Sequence, residues 1–214
     1  MYENWLSFAA ALKQAQQLCY AEADPTFDVE GIDAAHKLAI LASLAYGVYA
    51  DFKKIDPIGI SNVSDYDIRV AKRFDYKIKL LATTKYRNKK FAAWVCPTLV
   101  PANSMIAAVS GANNAVMVEG DFVGKTMFYG AGAGMGPTAS AVVGDLVEVA
   151  RNMQVWPSEI ASVPPLGHND LALGKMYQLA HIEEASRYYL RFTVRDVPGV
   201  LGQIAGVLGK NNIG

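Results

Sequence analysis

The 214-residue chain is 52% hydrophobic, enough for a sizeable core in one domain or one and a half, which excludes a disordered polypeptide. Its 20 basic and 20 acidic residues cancel, so no overall field gathers nucleic acid or an anionic membrane, and a small molecule or another protein is the expected partner. Cys19 and Cys96 stand in unlike contexts with no CxxC or Cys/His cluster, which argues against a zinc site or a disulfide framework and fits a reducing, cytoplasmic setting.

Residues 4–18 place Trp5, Phe8, Leu12 and Ala15 on one stripe at helical spacing, so an amphipathic helix is expected almost at Met1, as though the chain began in mid-domain. Further helices are expected from about Gly31 to Tyr46 and from Ser64 to Arg73. The run 38–50, "LAILASLAYGVYA", is uncharged over thirteen residues, below the roughly eighteen that a membrane span needs. No signal peptide and no anchor are read from the sequence.

Four short runs follow, "YKIKLLATTK", "FAAWVCPTLV", "NAVMVEG" and "KTMFYG", rich in β-branched and aromatic residues and punctuated by Gly, Asn and Pro; four strands are the simplest account. After "GAGAGMGP" the stretch "TASAVVGDLVEVARNM" returns to helical spacing. Strands in the middle flanked by helices predict an α+β fold. The Pro- and Gly-rich stretch near 155–175 reads as a linker. Beyond it "SRYYLRFTVRD" alternates like a strand and "VPGVLGQIAGVLGKNNIG" reads as a helix opened by Pro198, a pair too small to close its own core.

Chemistry concentrates in "DPTFDVEGIDAAHK", residues 24–37. Asp33 and Lys37 are four apart, so on a helix their side chains meet on one face. The pair has a plain reading as a surface ion pair. Against that, the stripe continues through Ile40 and Leu44 and the helix is apolar on every side after Lys37, which predicts burial, and a buried charge must be paired or reactive. A desolvated lysine held by an aspartate can deliver a proton to an oxygen in a closed site. Glu22 and Asp28 add negative charge suited to a substrate ammonium group. A metal loop is the third reading, since Asp24, Thr26, Asp28 and Glu30 alternate as in an EF-hand; it fails because Val29 stands where glycine makes the turn and Ala35 where a bidentate carboxylate is needed.

Two glycine-rich stretches invite nucleotide readings. "GDFVGKT" is one residue short of a P-loop and is followed by a strand-like run, so a hairpin turn is the better account. "YGAGAGMGPTAS" can bring backbone close to a ligand at a helix N-terminus, or can simply serve tight packing. His36, His168 and His181 share no metal-ligand spacing, and His36 is expected to pack or hydrogen-bond beside Lys37. No metal is expected.

"YAEADPTFDVEGIDAAHK" closely resembles the signature of the homoserine dehydrogenase family, and the resemblance continues through "IKLLATTK", "NAVMVEGDFVG" and "YGAGAGMGPTASAVVGDL". "DVPGVLGQIAGVL" looks like the opening of an ACT regulatory domain. The resemblance implies NAD- or NADP-dependent interconversion of L-aspartate 4-semialdehyde and L-homoserine, a step in threonine, methionine and isoleucine biosynthesis. It implies that Lys37 donates a proton to the carbonyl oxygen, that Asp33 orients substrate and Lys37, that Glu22 with Tyr20 binds the substrate amino group, and that Asp28 supports the site. It places Gly132 and Gly134 on the nicotinamide side.

Cys19 departs from the family, where glycine is usual, and residues 1–214 contain no Rossmann half with GxGxxG, so the family's nucleotide-binding half is expected to be missing from this chain. The chain is therefore expected to hold a catalytic, substrate-binding and dimerisation domain at 1–155 with a mixed sheet of about four or more strands, a linker at 156–185, and a truncated ACT domain at 186–214. It would form a homodimer or higher homo-oligomer, as the family's domains do through their sheets, and be inactive alone. The competing expectation is a dimerisation and amino-acid-sensing module without chemistry.

Overall fold

The computed structural model describes residues 8–17, 23–155, 176–179 and 186–213. The chain divides into two compact units, Met1–Ile182 and Glu183–Gly214. In the first unit α1 is Phe8–Gln17, α2 Thr26–Val29 and α3 Ile32–Tyr46, followed by a 3-10 turn at Phe52–Lys54 and by α4, Asp65–Arg73. Strands β1, Tyr76–Arg87, and β2, Lys90–Pro101, precede the short α5, Met105–Ala108. Strands β3, Asn113–Gly120, and β4, Gly124–Ala131, lead into α6, Met135–Val155, and a short β5 lies at Tyr177–Leu179. The expected α+β class stands.

Local chemistry accounts for most of these boundaries. The Ser64 Oγ accepts from the Asp67 backbone N–H at 3.2 Å while Asp67 Oδ2 accepts from the Ser64 N–H at 2.9 Å, a reciprocal cap that starts α4 where the sequence predicts it. Asn88 and Lys89 both take positive φ, 51° and 60°, so β1 and β2 join in a two-residue turn of the kind whose twist matches the flanking strands. The P-loop-like "GDFVGKT" is indeed a hairpin, with Gly120 opposite Gly124 where β3 turns into β4.

The strands form two sheets. β1 and β2 pair antiparallel from Tyr76 opposite Pro101 to Arg87 opposite Lys90, and β5 joins the far edge of β2 in parallel, Phe91 opposite Gln178. β3 and β4 form a separate two-stranded sheet. The helix α3 lies on the mixed three-stranded sheet. Phe91, Ala93 and Val95, alternate residues of β2, share one face and cluster with Ala35, Leu38, Ala39 and Ala42 of α3 and with Val48, Ala50 and Ile55. Three alanines on the buried face of α3 let the helix sit close to the strands.

One feature of this unit departs from a plain reading of the sequence. Tyr177–Leu179, inside the stretch expected to be linker, is a strand, and Gln178 holds both backbone groups of Asp51: its Oε1 accepts from the Asp51 N–H at 2.8 Å and its Nε2 donates to the Asp51 carbonyl at 3.0 Å. The helix expected at residues 4–18 is described only over Phe8–Gln17, so Trp5 lies outside the described residues.

In the second unit, α7 spans Val200–Lys210 and opens at Gly199, whose φ of 90° suits only glycine comfortably. Residues 186–196, expected as a strand, form none. Alternation supplies a strand's two faces, but a strand also needs a hydrogen-bonding neighbour, and the described residues of this unit offer no second strand.

Candidate active site

The site begins at a corner. Gly31, between α2 and α3, has φ of 75°, and a Cβ there would stand 3.0 Å from Val95 Cγ1 and 3.5 Å from Leu80 Cδ2. Glycine is required twice over, for the left-handed turn and for backbone lying directly on the sheet. That contact sets where α3 starts. The loop after the 3-10 turn threads between corner and sheet: the Ile58 N–H donates to the Val95 carbonyl at 2.8 Å and the Ile60 N–H to the Val29 carbonyl at 2.9 Å.

One turn into α3, Lys37 Nζ donates to Asp33 Oδ2 at 2.5 Å. The i, i+4 meeting expected from spacing is present, but the predicted burial is not: the Lys37 side chain is 62% exposed and that of Asp33 40%. The reason is the orientation of α3. Its sheet side buries Ala35, Leu38, Ala39 and Ala42, while Lys37 shares the opposite side with Ile40, Leu41 and Leu44, all of them exposed. Uniform hydropathy along the helix therefore overstates its burial. An exposed pair of this kind adds only about 0.3–0.5 kcal/mol to stability.

His36, next to Lys37, has its ring stacked 3.8 Å from that of Phe52 and 6.2 Å from that of Phe27, both nearly parallel. It packs, as expected, and ties the start of α3 to the 3-10 turn. Asp28 lies on α2, one corner from the Asp33–Lys37 pair. Tyr20, Glu22 and Cys19 lie outside the described residues.

The two sequence-selected glycines sit on the turn between β4 and α6. A Cβ on Gly132 would overlap the Asn114 side-chain amide, so a larger residue there would require the exposed Asn114 side chain to move. Gly134 has φ of 111° and only ordinary contact around it, and Gly136 faces open space. Backbone at 134–136 is thus open at the start of α6, and Gly132, also exposed, has the Asn114 side chain directly beside it.

Asp24 Oδ1 accepts from the Thr26 hydroxyl at 2.6 Å and from the Thr26 N–H at 3.1 Å, closing a turn ahead of α2. The Thr26 hydroxyl, then its N–H, hold the Asp24 carboxyl below the ordinary value of 3.8. The lowered value means that the turn's contribution is complete at neutral pH and fades as pH falls through the folded-state value. Thr26→Val, which keeps the N–H and removes the hydroxyl, is expected to move the Asp24 titration upward in a carboxyl NMR pH series; an unmoved titration would contradict the assignment to the hydroxyl.

An i, i+4 lysine–aspartate pair at the head of a helix laid on a mixed sheet, with open backbone at a second glycine turn, defines a class: an α+β domain that presents a charged pair on the outer side of its sheet-covering helix. No described helix is long and apolar enough to cross a membrane. The chain belongs to the homoserine dehydrogenase family, whose model matches residues 1–147. It is 49% identical over 214 residues to the homoserine dehydrogenase of Pseudomonas aeruginosa, covering 100% of this chain and 49% of that protein. The crystal structure of a homoserine dehydrogenase from Thiobacillus denitrificans superposes with a TM-score of 0.81 at 41% identity, over 98% of this chain and 48% of that one. A hyperthermophilic archaeal homoserine dehydrogenase in complex with NADPH matches at a TM-score of 0.55 and 26% identity, over 71% of this chain and 42% of that one. The chain spans about half the length of the relatives it matches.

Proposed function

We propose that this chain is the substrate-binding and proton-donating part of a homoserine dehydrogenase, cytoplasmic, interconverting L-aspartate 4-semialdehyde and L-homoserine. The observation that carries the reading is the Lys37 Nζ held on Asp33 Oδ2 at 2.5 Å on the exposed side of α3. In the reducing direction a hydride adds to the aldehyde carbon while the Lys37 ammonium gives its proton to the aldehyde oxygen, leaving the alcohol; oxidation runs the same transfers backwards. Asp33 keeps Nζ in place. Glu22 and Tyr20 bind the substrate amino group, and Asp28 adds negative charge beside it.

A nicotinamide cofactor, NADP or NAD, supplies the hydride when bound. The described residues fit it in part: Gly134 lies in open backbone, and Gly132 is exposed with the Asn114 side chain beside it. The half of the relatives' length that this chain does not match is the expected source of the rest of the cofactor site.

Residues 1–155 make up the catalytic and dimerisation domain, and the tail from about residue 186 resembles the start of an ACT module. The hairpin of β3 and β4 supports association with a second copy, since a two-stranded sheet is marginal alone and Val116, Met117, Val118, Phe128 and Tyr129 are all exposed on it. A second reading, a dimerisation and amino-acid-sensing module without chemistry, is favoured for the isolated chain by the exposure of Lys37.

Both readings meet in one experiment. The chain alone, followed by light scattering and by homoserine oxidation with NAD or NADP, is expected to be dimeric and inactive, and the whole enzyme active. A monomer contradicts the hairpin interface. Turnover by the chain alone contradicts the division of labour, and an inactive whole enzyme contradicts the dehydrogenase reading itself.

A further inference from the structure

Glu30 sits at the corner between α2 and α3 and is half-buried. Its Oε1 accepts a hydrogen bond from the hydroxyl of Ser61, which follows the loop threaded beneath the corner. That loop is pressed against the same residue. A Cβ on Gly59 would lie 2.5 Å from the Glu30 Cα and from the Val29 carbonyl oxygen, and would collide with the Glu30 carboxylate as well. Two backbone bonds already described, from Ile58 to Val95 and from Ile60 to Val29, run on either side of Gly59. The corner is therefore gripped from the sheet at Gly31 and from the loop at Glu30.

We propose that Glu30 and Ser61, with Gly59 between them, form a clamp that sets the position of the Asp33–Lys37 pair. The physical route is short. The Gly31 N–H donates to the Asp28 carbonyl at 3.3 Å and the Ala35 N–H to the Gly31 carbonyl at 3.0 Å, so a shift at Glu30 passes directly into the first turn of α3, where Asp33 lies. Glu30 is a positioning residue: it holds the helix start, touches neither Asp33 nor Lys37 in any described hydrogen bond, and needs its oxygen as an acceptor rather than its charge. An ångström of displacement at a proton donor is enough to cost turnover severalfold to a hundredfold, because transfer depends on hydrogen-bond geometry at the moment of reaction.

The inference rests on the dehydrogenase reading for its consequence in turnover, but not for the clamp itself, so the test has two readouts. In the whole enzyme, Glu30→Ala and Ser61→Ala are each expected to lower kcat about 10-fold with KM for homoserine changed less than about threefold, the double variant falling no further than either single one. Glu30→Gln, which keeps the acceptor and loses the charge, should retain turnover within about threefold, and Ser61→Thr should do the same. Amide exchange at Gly31 and Ile60 should quicken about 10-fold in the alanine variants, an effect that does not depend on activity.

Unchanged exchange would overturn the clamp. Quickened exchange with normal kcat would show that the corner loosens without moving the proton donor, and would overturn its link to turnover. A large rise in KM in Glu30→Gln would instead make Glu30 a substrate-binding carboxylate. A wild-type enzyme without dehydrogenase activity would sink the functional reading, while exchange still decides whether the clamp exists.

Discussion

Lys37→Ala in the whole enzyme is expected to lower homoserine turnover by about two to four orders of magnitude, the usual loss when a positioned acid or base is removed. The fold should survive. Lys37 projects from the solvent side of α3, away from the cluster of Ala35, Leu38, Phe91 and Val95, and its bond to Asp33 is an exposed i, i+4 pair. Lys37→Arg should be nearly as inactive, since guanidinium keeps the charge and the ion pair but does not release a proton near neutral pH. Steady-state kinetics beside a thermal melt separate the two effects. A folded variant with near-normal turnover would remove Lys37 from the reaction.

Phe91→Ala is expected to have the largest effect on stability, about 3–5 kcal/mol, from lost burial and the cavity left behind. Phe91 is 0% exposed and is the largest fully buried side chain of the core, with its ring 5.6 Å from that of Tyr46 at the end of α3. It also stands opposite Gln178, where β5 joins β2. Total stabilities of only about 5–15 kcal/mol make this a large fraction, and the melting temperature should fall by on the order of 10 °C. Chemical denaturation of the variant checks the value; a loss under about 1 kcal/mol would mean that the contact of α3 with the sheet does not centre on Phe91.

Several elements were legible from residues close together in the chain. The helix start near Ser64 is marked by a capping residue, the β-branched and aromatic run at 91–100 marks a strand, and spacing alone brings Asp33 to Lys37. These are local properties: a cap, a period and an i, i+4 distance are decided within one or two turns of backbone. The tail shows where such signals stop. Residues 186–196 alternate as a strand does, yet form none, because pairing is a property of two segments.

Only the tertiary structure decided which face of α3 is covered. Leu38 and Ala42 are buried while the more apolar or equally apolar Ile40, Leu41 and Leu44 are exposed, because hydropathy states what a residue can bury and not whether a neighbour lies there to bury it. The same holds for Gln178 on Asp51, 127 residues apart, and for Ser61 on Glu30, 31 apart. Spacing carries no trace of such pairs. The sequence by itself determined the family resemblance, the α+β class, the helices α3 and α4 with the four middle strands, and the pairing of Asp33 with Lys37; the exposure of that pair, the division of the strands into two sheets, and the grip on the corner at Glu30 depend on contacts between distant segments, which exist only once the chain has folded.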